Sequence, residues 1–146
     1  MKKYLNLTLL VIWLGVIFFL SNQTGEVSGN LSNGILKTIA NIFRITNIEQ
    51  FIVKYHVLIR KTAHFIEYFI LGLLIYLNIY EFSKKENITI SIILCGLNAL
   101  TDELHQLFVS NRAFMVGDII LDTVGGIIGI LLIYLILKKC CQEKKH

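Results

Sequence analysis

The segment from Val116 to Leu137 reads VGDIILDTVGGIIGILLIYLIL and is apolar enough to cross a bilayer, although it begins with two aspartates. Charged side chains at membrane depth are costly, so their presence requires a physical reason. One face of this segment carries, at helical spacing, Asp118, Asp122, Gly125 and Gly129. Its two glycines form a G-x-x-x-G surface that lets a neighbouring helix approach closely. The segment therefore predicts a helix whose aspartates face the interior of a helix bundle.

The chain has three other apolar stretches besides residues 116–137, namely residues 5–20, 63–80 and 88–108. Each approaches the ~20 residues that a helix needs to cross a ~30 Å hydrocarbon core. The chain is 55% hydrophobic and contains no proline, which excludes an ordinary soluble domain of this size. We predict an all-α, integral membrane four-helix bundle in one domain, residues 1–146. The first stretch lacks a small-residue cleavage pattern at residues 18–22, so we expect a retained anchor.

Lysine pairs predict the orientation of the bundle. Eight of the fourteen basic residues are paired lysines beside apolar stretches, which is typical of membrane spans and argues against a nucleic-acid partner. With a cytoplasmic N-terminus, the inner segments hold eight lysines in 19 residues, whereas the outer segments hold six basic residues in 47. We therefore expect a multi-pass protein of the cytoplasmic membrane with both termini inside. All three arginines then lie outside, which favours an anionic partner on that side.

The long outer segment between the first two spans also contains helical signals. Residues 25–34 are rich in Gly, Ser and Asn and predict a flexible turn, after which apolar residues recur at helical spacing to Phe43. A second helix is expected to begin at Thr46, with Glu49 completing a capping box, and to continue towards the second span. One or two amphipathic helices at the membrane interface fit this pattern. They either connect the spans or form a lid over a lateral entrance for lipid.

Helix rise places polar groups from three spans at one depth. At ~1.5 Å per residue, Glu67 in the second span, Asp102 in the third and Asp122 in the fourth each lie about two turns from the outer end. His64, Glu67 and Tyr68 share a helix side, as do Asp102, His105 and Gln106, whereas Glu103 is rotated away. The sequence therefore predicts one outward-facing site.

Three interpretations of this polar layer remain open from the residues alone. The charges could be structural pairs between helices. Arginine and lysine could hold a phosphate or lipid head group while a histidine beside a carboxylate moves a proton. Finally, His64-x-x-Glu67 and Glu103-x-His105 with two aspartates could supply ligands for a divalent metal, although no known metal motif is present.

Three motifs in the same order resemble the VanZ-like family of bacterial membrane proteins. They are RKTAHFIEYFILG at residues 60–72, DELHQLF at 102–108, and Arg112 followed by DIILDTVGG at 118–126. Ser21-Asn22-Gln23 also resembles the Ser-x-Gln of that family. The resemblance covers nearly the whole chain, and it implies a cell-envelope membrane protein associated with low-level resistance to teicoplanin. A proposed wider relationship implies chemistry on lipid head groups or lipid-linked saccharides.

The resemblance, with the depth argument, gives the site residues their expected roles. The expected catalytic groups are His64, Glu67, Asp102, His105, Asp118 and Asp122. The expected substrate-binding groups are Arg60, Lys61, Tyr68, Glu103, Gln106, Arg112 and Gln23. The leading hypothesis is a lipid-headgroup hydrolase or transferase acting on an anionic membrane lipid or lipid-linked cell-wall intermediate. The alternative is a non-enzymatic binder that shields its target from glycopeptide. No cofactor is expected, with a divalent metal as the less favoured alternative.

Overall fold

The computed structural model describes residues 2–83 and 87–143, and all regular secondary structure within these ranges is α-helical. In chain order the helices are α1 (Lys2–Ser21), α2 (Gly25–Ile42), α3 (Ile48–Ser83), α4 (Ile88–Gln106) and α5 (Val116–Glu143). At ~1.5 Å per residue, α3 is about 54 Å long, so it extends well beyond a bilayer core. The helix predicted to begin near Thr46 and the second predicted span are thus one continuous helix, α3.

Glycines hold α5 against α3. A Cβ atom added at Gly129 would collide with the carbonyl oxygen of Phe69, and one added at Gly125 would lie 2.6 Å from the carbonyl oxygen of Phe65. A Cβ atom at Gly72 on α3 would collide with the backbone of Gly126 on α5. Backbone meets backbone along this interface, which is the most extensive in the fold. The predicted glycine surface is confirmed, and it brings the aspartates of α5 against α3.

Helices α1, α3, α4 and α5 run alternately up and down, so the bundle has two distinct ends. At one end the Lys3 ammonium lies 3.8 Å from the ring centroid of Phe82, at the end of α3. At the other end the backbone N–H of Gly25 donates to the carbonyl oxygen of Ser110 at 3.1 Å, so the α1–α2 junction meets the α4–α5 loop. Of the lysines that predict the membrane orientation, Lys84, Lys85, Lys144 and Lys145 lie outside the described residues.

Three described helices are long and apolar enough to cross a membrane. They are residues Lys3–Ser21, Ile48–Ser83 and Val116–Gln142. The predicted third span, residues 88–108, is helical over Ile88–Gln106 but does not belong to this set. The reason is that its C-terminal half carries Asn98, Thr101, Asp102, Glu103 and His105, which lower its mean hydropathy. The four-span bundle therefore stays a prediction.

The prediction of a flexible turn at residues 25–34 is wrong. These residues form the first half of α2, where the Thr24 side chain caps the helix by accepting from the N–H of Val27 at 3.4 Å. Ser32, Leu36 and Ala40 are buried, and the packing of α2 on α3 outweighs the low helix propensity of the Gly- and Asn-rich sequence.

Beside this buried face, α2 carries an apolar stripe that is half exposed. Leu31 and Ile35 are 51% and 48% exposed. An exposed apolar stripe of this kind is typical of a helix lying at a membrane interface, and the interfacial position stays a prediction.

Candidate functional site

Side chains from α3, α4 and α5 meet near the end of the bundle that carries the α4–α5 loop. His64, Asp102 and Asp122 each bring one nitrogen or oxygen atom within 4.8 Å of the other two. They lie 38 and 20 residues apart in the sequence. Packing of the parallel helices α3 and α5 with the antiparallel α4 brings them together. The predicted convergence at one depth is therefore present for these three groups.

A chain of hydrogen bonds fixes Asp102. The Gln106 amide donates to Oδ2 of Asp102 at 3.1 Å, and its carbonyl oxygen accepts from the Arg112 guanidinium at 3.4 Å. Arg112 also donates from Nε to the backbone carbonyl of Gln23 at 3.3 Å. The α4–α5 loop is thereby joined to the end of α1, and Gln23 contributes its backbone oxygen to this contact.

Asp118 pairs with two cations of α3. Lys61 Nζ donates to Oδ1 of Asp118 at 3.0 Å, and Arg60 lies 3.7 Å from Oδ2. The aspartate is buried whereas both cations are about one third exposed. Asp118 and Asp122, one turn apart on the same stripe, therefore have different surroundings: the first is neutralised directly, and the second is not.

Glu103 contacts the backbone just before α5. Its Oε1 accepts a 2.6 Å hydrogen bond from the backbone N–H of Met115, just before α5 begins. The residue is buried, and Oε2 has no hydrogen-bond partner among the described residues. Its rotation away from Asp102, expected from helix geometry, directs it towards the start of α5.

His64 and Glu67 lie side by side on α3. Nδ1 of His64 is 3.8 Å from Oε2 of Glu67, which is an ion-pair distance but is too long for a hydrogen bond. The indole N–H of Trp13 donates to the backbone carbonyl of Glu67 at 2.9 Å and fixes α1 against this turn. Sequence reasoning missed Trp13, and the signal available was the single tryptophan of the chain, in the first span.

His105 is separated from this pair. Its ring packs on Phe18 of α1, with centroids 5.1 Å apart. His105, Asp102 and Tyr68 line a cavity of about 360 Å³ between α1, α3 and α4. No ion pair joins His105 with Asp102 in the described part of the chain, in contrast to His64 with Glu67.

A second cavity of about 230 Å³ lies between α2, α3 and the α4–α5 loop. Its polar side holds Arg60, His64, Glu67 and Arg112. Its apolar wall consists of Leu20, Leu31, Ile35, Ile59 and Ala63. We call this space the α2 cavity. It is an amphipathic space in which two arginines face a histidine and a carboxylate.

Several buried polar atoms around these cavities have no partner in residues 2–83 and 87–143. They include Nε of Arg60, Nδ1 of His64, the Tyr68 hydroxyl and Oδ1 of Asp122. Buried polar groups are normally hydrogen-bonded, and each exception calls for an explanation. Burial also lowers the pKa of Arg112, and nearby Arg60 contributes to the same shift, but a guanidinium remains protonated. The site thus combines fixed positive charge with unsatisfied donors and acceptors.

Comparison with known proteins assigns the chain to a family. The sequence matches the VanZ/LLP1 family over residues 6–137. The chain belongs to the VanZ/LLP1 family. No curated protein and no solved structure shows significant similarity to it. The sequence motifs that suggested a VanZ-like protein supply the polar groups of the site, so the match covers the residues that converge as well as the apolar helices around them.

Proposed function

We propose that this VanZ-family protein binds an anionic lipid head group, or a lipid-linked cell-wall intermediate, from the outer leaflet and modifies it. The α2 cavity is the observation that carries the proposal, because it joins two arginines, a histidine–carboxylate pair and an apolar wall in one space. Such a combination suits a molecule with a phosphate at one end and a hydrocarbon chain at the other. A link to glycopeptide resistance, including teicoplanin, is consistent with the family.

Arg60 and Arg112 are the proposed phosphate-binding groups. Both line the α2 cavity, and Nε of Arg60 is buried with no partner among the described residues. Lys61 is engaged at 3.0 Å with Asp118, so we assign it a positioning role through that aspartate. Arginine also suits phosphate better than lysine does, because its planar fork donates two parallel hydrogen bonds.

Helix α2 supplies the entrance for the acyl chain. Leu31 and Ile35 line the α2 cavity and are also half exposed on the outer face of the helix. An apolar chain could therefore pass beside α2 from the surrounding lipid without crossing a polar surface. This supports the lid interpretation of α2 over that of a simple connection.

His64 with Glu67 is the proposed acid–base pair. In a hydrolysis or transfer, His64 would accept the proton of the attacking water or hydroxyl as the new bond to phosphorus forms. The bond from phosphorus to the head-group oxygen would break, and protonated His64 would return the proton to that leaving oxygen. Imidazole suits this exchange near neutral pH. The pair lies in the same cavity as the arginines, which favours it over His105 with Asp102.

The direct test is an assay of head-group release or transfer by purified protein in detergent across a broad panel of lipids. We expect His64→Ala to abolish product formation and His56→Ala to retain it, because His56 is exposed and its ring hydrogen-bonds to the carbonyl of Val53 in its own helix turn. Binding of anionic lipid should fall with Arg112→Gln and persist with Arg44→Gln. Equal product formation by wild type and His64→Ala would refute the catalytic proposal.

A non-enzymatic binder is the second candidate, and the 3.8 Å separation of His64 from Glu67 favours it. A preorganised acid–base pair would be expected at hydrogen-bond distance. In this case the protein would cover its lipid-linked target and keep glycopeptide away from it. Arg60→Ala would then lose resistance in cells although no product forms with any lipid.

A further inference from the structure

We propose that His64, Asp102 and Asp122 form a binding site for one divalent transition-metal cation of the Zn²⁺ or Mn²⁺ class. The site uses one nitrogen and two carboxylate oxygens from three different helices. The inference rests on the proposed function only for its biological role, since cation binding itself requires no lipid.

The spacing of the three groups is close to that of a coordination shell. The ligand atoms lie within 4.8 Å of one another, whereas neighbouring ligands of a tetrahedral cation at ~2.1 Å are about 3.4 Å apart. A cation would therefore draw the side chains inwards by less than about 1 Å. Rotation of the imidazole and carboxylate groups is enough for a change of this size, and the helices need not move.

The charge distribution leaves the two aspartates in need of a positive partner. Arg60 and Lys61 both pair with Asp118, and the hydrogen bonds of Arg112 go to Gln106 and Gln23. Asp122 is 1% exposed, and its Oδ1 has no hydrogen-bond partner within the described ranges. A buried carboxylate without a partner is costly, and a divalent cation shared with Asp102 would remove that cost.

The hydroxyl of Tyr68 is a second, independent indication of a ligand. Tyr68 is fully buried, and its hydroxyl is unpartnered among the described residues. Tyr68 lines the same cavity as Asp102, one of the proposed ligands. A water molecule on the cation would give this hydroxyl the partner it lacks.

The neighbouring groups resemble the outer shell of a metal site. Metal ligands are normally held in orientation by a further hydrogen bond or carboxylate. Gln106 holds Asp102 through Oδ2, which leaves Oδ1 for a cation. Glu67 lies 3.8 Å from Nδ1 of His64, where it can orient the ring.

The ligand chemistry selects the class of cation. An imidazole nitrogen favours zinc and other transition metals over Mg²⁺ and Ca²⁺, while two carboxylates also suit Mn²⁺. Three protein ligands leave at least one coordination position open, as in catalytic zinc sites. With a cation bound, His64 would act as a ligand, so the proton-accepting role that the proposed function gives to His64 would pass to Glu67.

The test is cation binding by the full chain in detergent after removal of metal with a chelator. Zn²⁺ is titrated in competition with a fluorescent chelator, and Mn²⁺ is followed by electron paramagnetic resonance. We expect one site per chain, with affinity reduced about tenfold or more by Asp122→Asn and by His64→Gln. Glu49→Gln and His56→Ala are the matched controls, because both residues are exposed and lie outside the site, and both should bind like wild type.

Thermal unfolding provides a second measurement that also reports whether the variants fold. Added Zn²⁺ or Mn²⁺ should raise the Tm of the wild type and of both controls, but not that of Asp122→Asn. Binding that is absent in the wild type, or equal in Asp122→Asn and Glu49→Gln, would overturn the site. Lipid modification that persists in the metal-free protein would overturn a role for the cation while leaving the proposed function intact.

Discussion

The contact between α3 and α5 makes a sharp prediction at Gly129. In Gly129→Ala the new Cβ atom would collide with the carbonyl oxygen of Phe69 and lie 3.2 Å from the backbone nitrogen of Leu73. Both neighbours are backbone atoms, so no side-chain rotation can relieve the contact and the helices must separate. Overpacking of this kind costs about 1–3 kcal/mol.

Gly15→Ala is the matched control, because a Cβ atom there meets nothing within 4 Å. Both substitutions gain the same helix propensity, at most about 1 kcal/mol. We therefore expect Gly129→Ala to unfold more easily than Gly15→Ala by about 1–3 kcal/mol. The assay is denaturation by SDS in mixed micelles, followed by circular dichroism. Equal free energies of unfolding for the two variants would refute the close approach of α3 and α5, and with it the position of Asp122 against α3.

Three further predictions concern other contacts. Glu103→Ala should lower the free energy of unfolding by about 1–3 kcal/mol, because the N–H of Met115 loses its acceptor; a loss no larger than that of Glu103→Gln would contradict this. A double-mutant cycle of Lys61→Met with Asp118→Asn should give a coupling energy of about 0.5–3 kcal/mol, and additive effects would show that the 3.0 Å contact is absent. Arg44→Gly should raise stability by up to about 1 kcal/mol, because Arg44 has a φ of 53°; thermal unfolding of the two proteins checks the sign.

Much of the fold can be predicted from patterns that are visible in the sequence. Long apolar runs predict the helices, and the Gly125 and Gly129 pair predicts the close contact with α3. The N-terminal half of α2 could not be predicted in this way. Its Gly- and Asn-rich composition indicates a turn, and only burial of Ser32 and Leu36 against the bundle reverses that preference.

The position of the candidate site along the helices could be predicted from the sequence, but the ion pairs of its carboxylates could not. Helix rise places Glu67, Asp102 and Asp122 in one layer, and His64 does meet both aspartates. Nothing in the sequence shows that Asp118 takes both neighbouring cations of α3 whereas Asp122 takes none. That difference depends on how far each side chain lies from the end of the bundle, where the flexible cations Arg60 and Lys61 can reach only the first aspartate.

The central claim is that polar groups of α3, α4 and α5 share one site, and cross-linking in native membranes tests it most directly. In a background without Cys95, Cys140 and Cys141, cysteines are placed at His64 and Asp122 and treated with a short bifunctional thiol reagent. The account predicts an intramolecular cross-link for this pair and none for the matched pair at His56 and Asp122. Failure of the first pair to react, with both cysteines accessible to a monofunctional reagent, would contradict it.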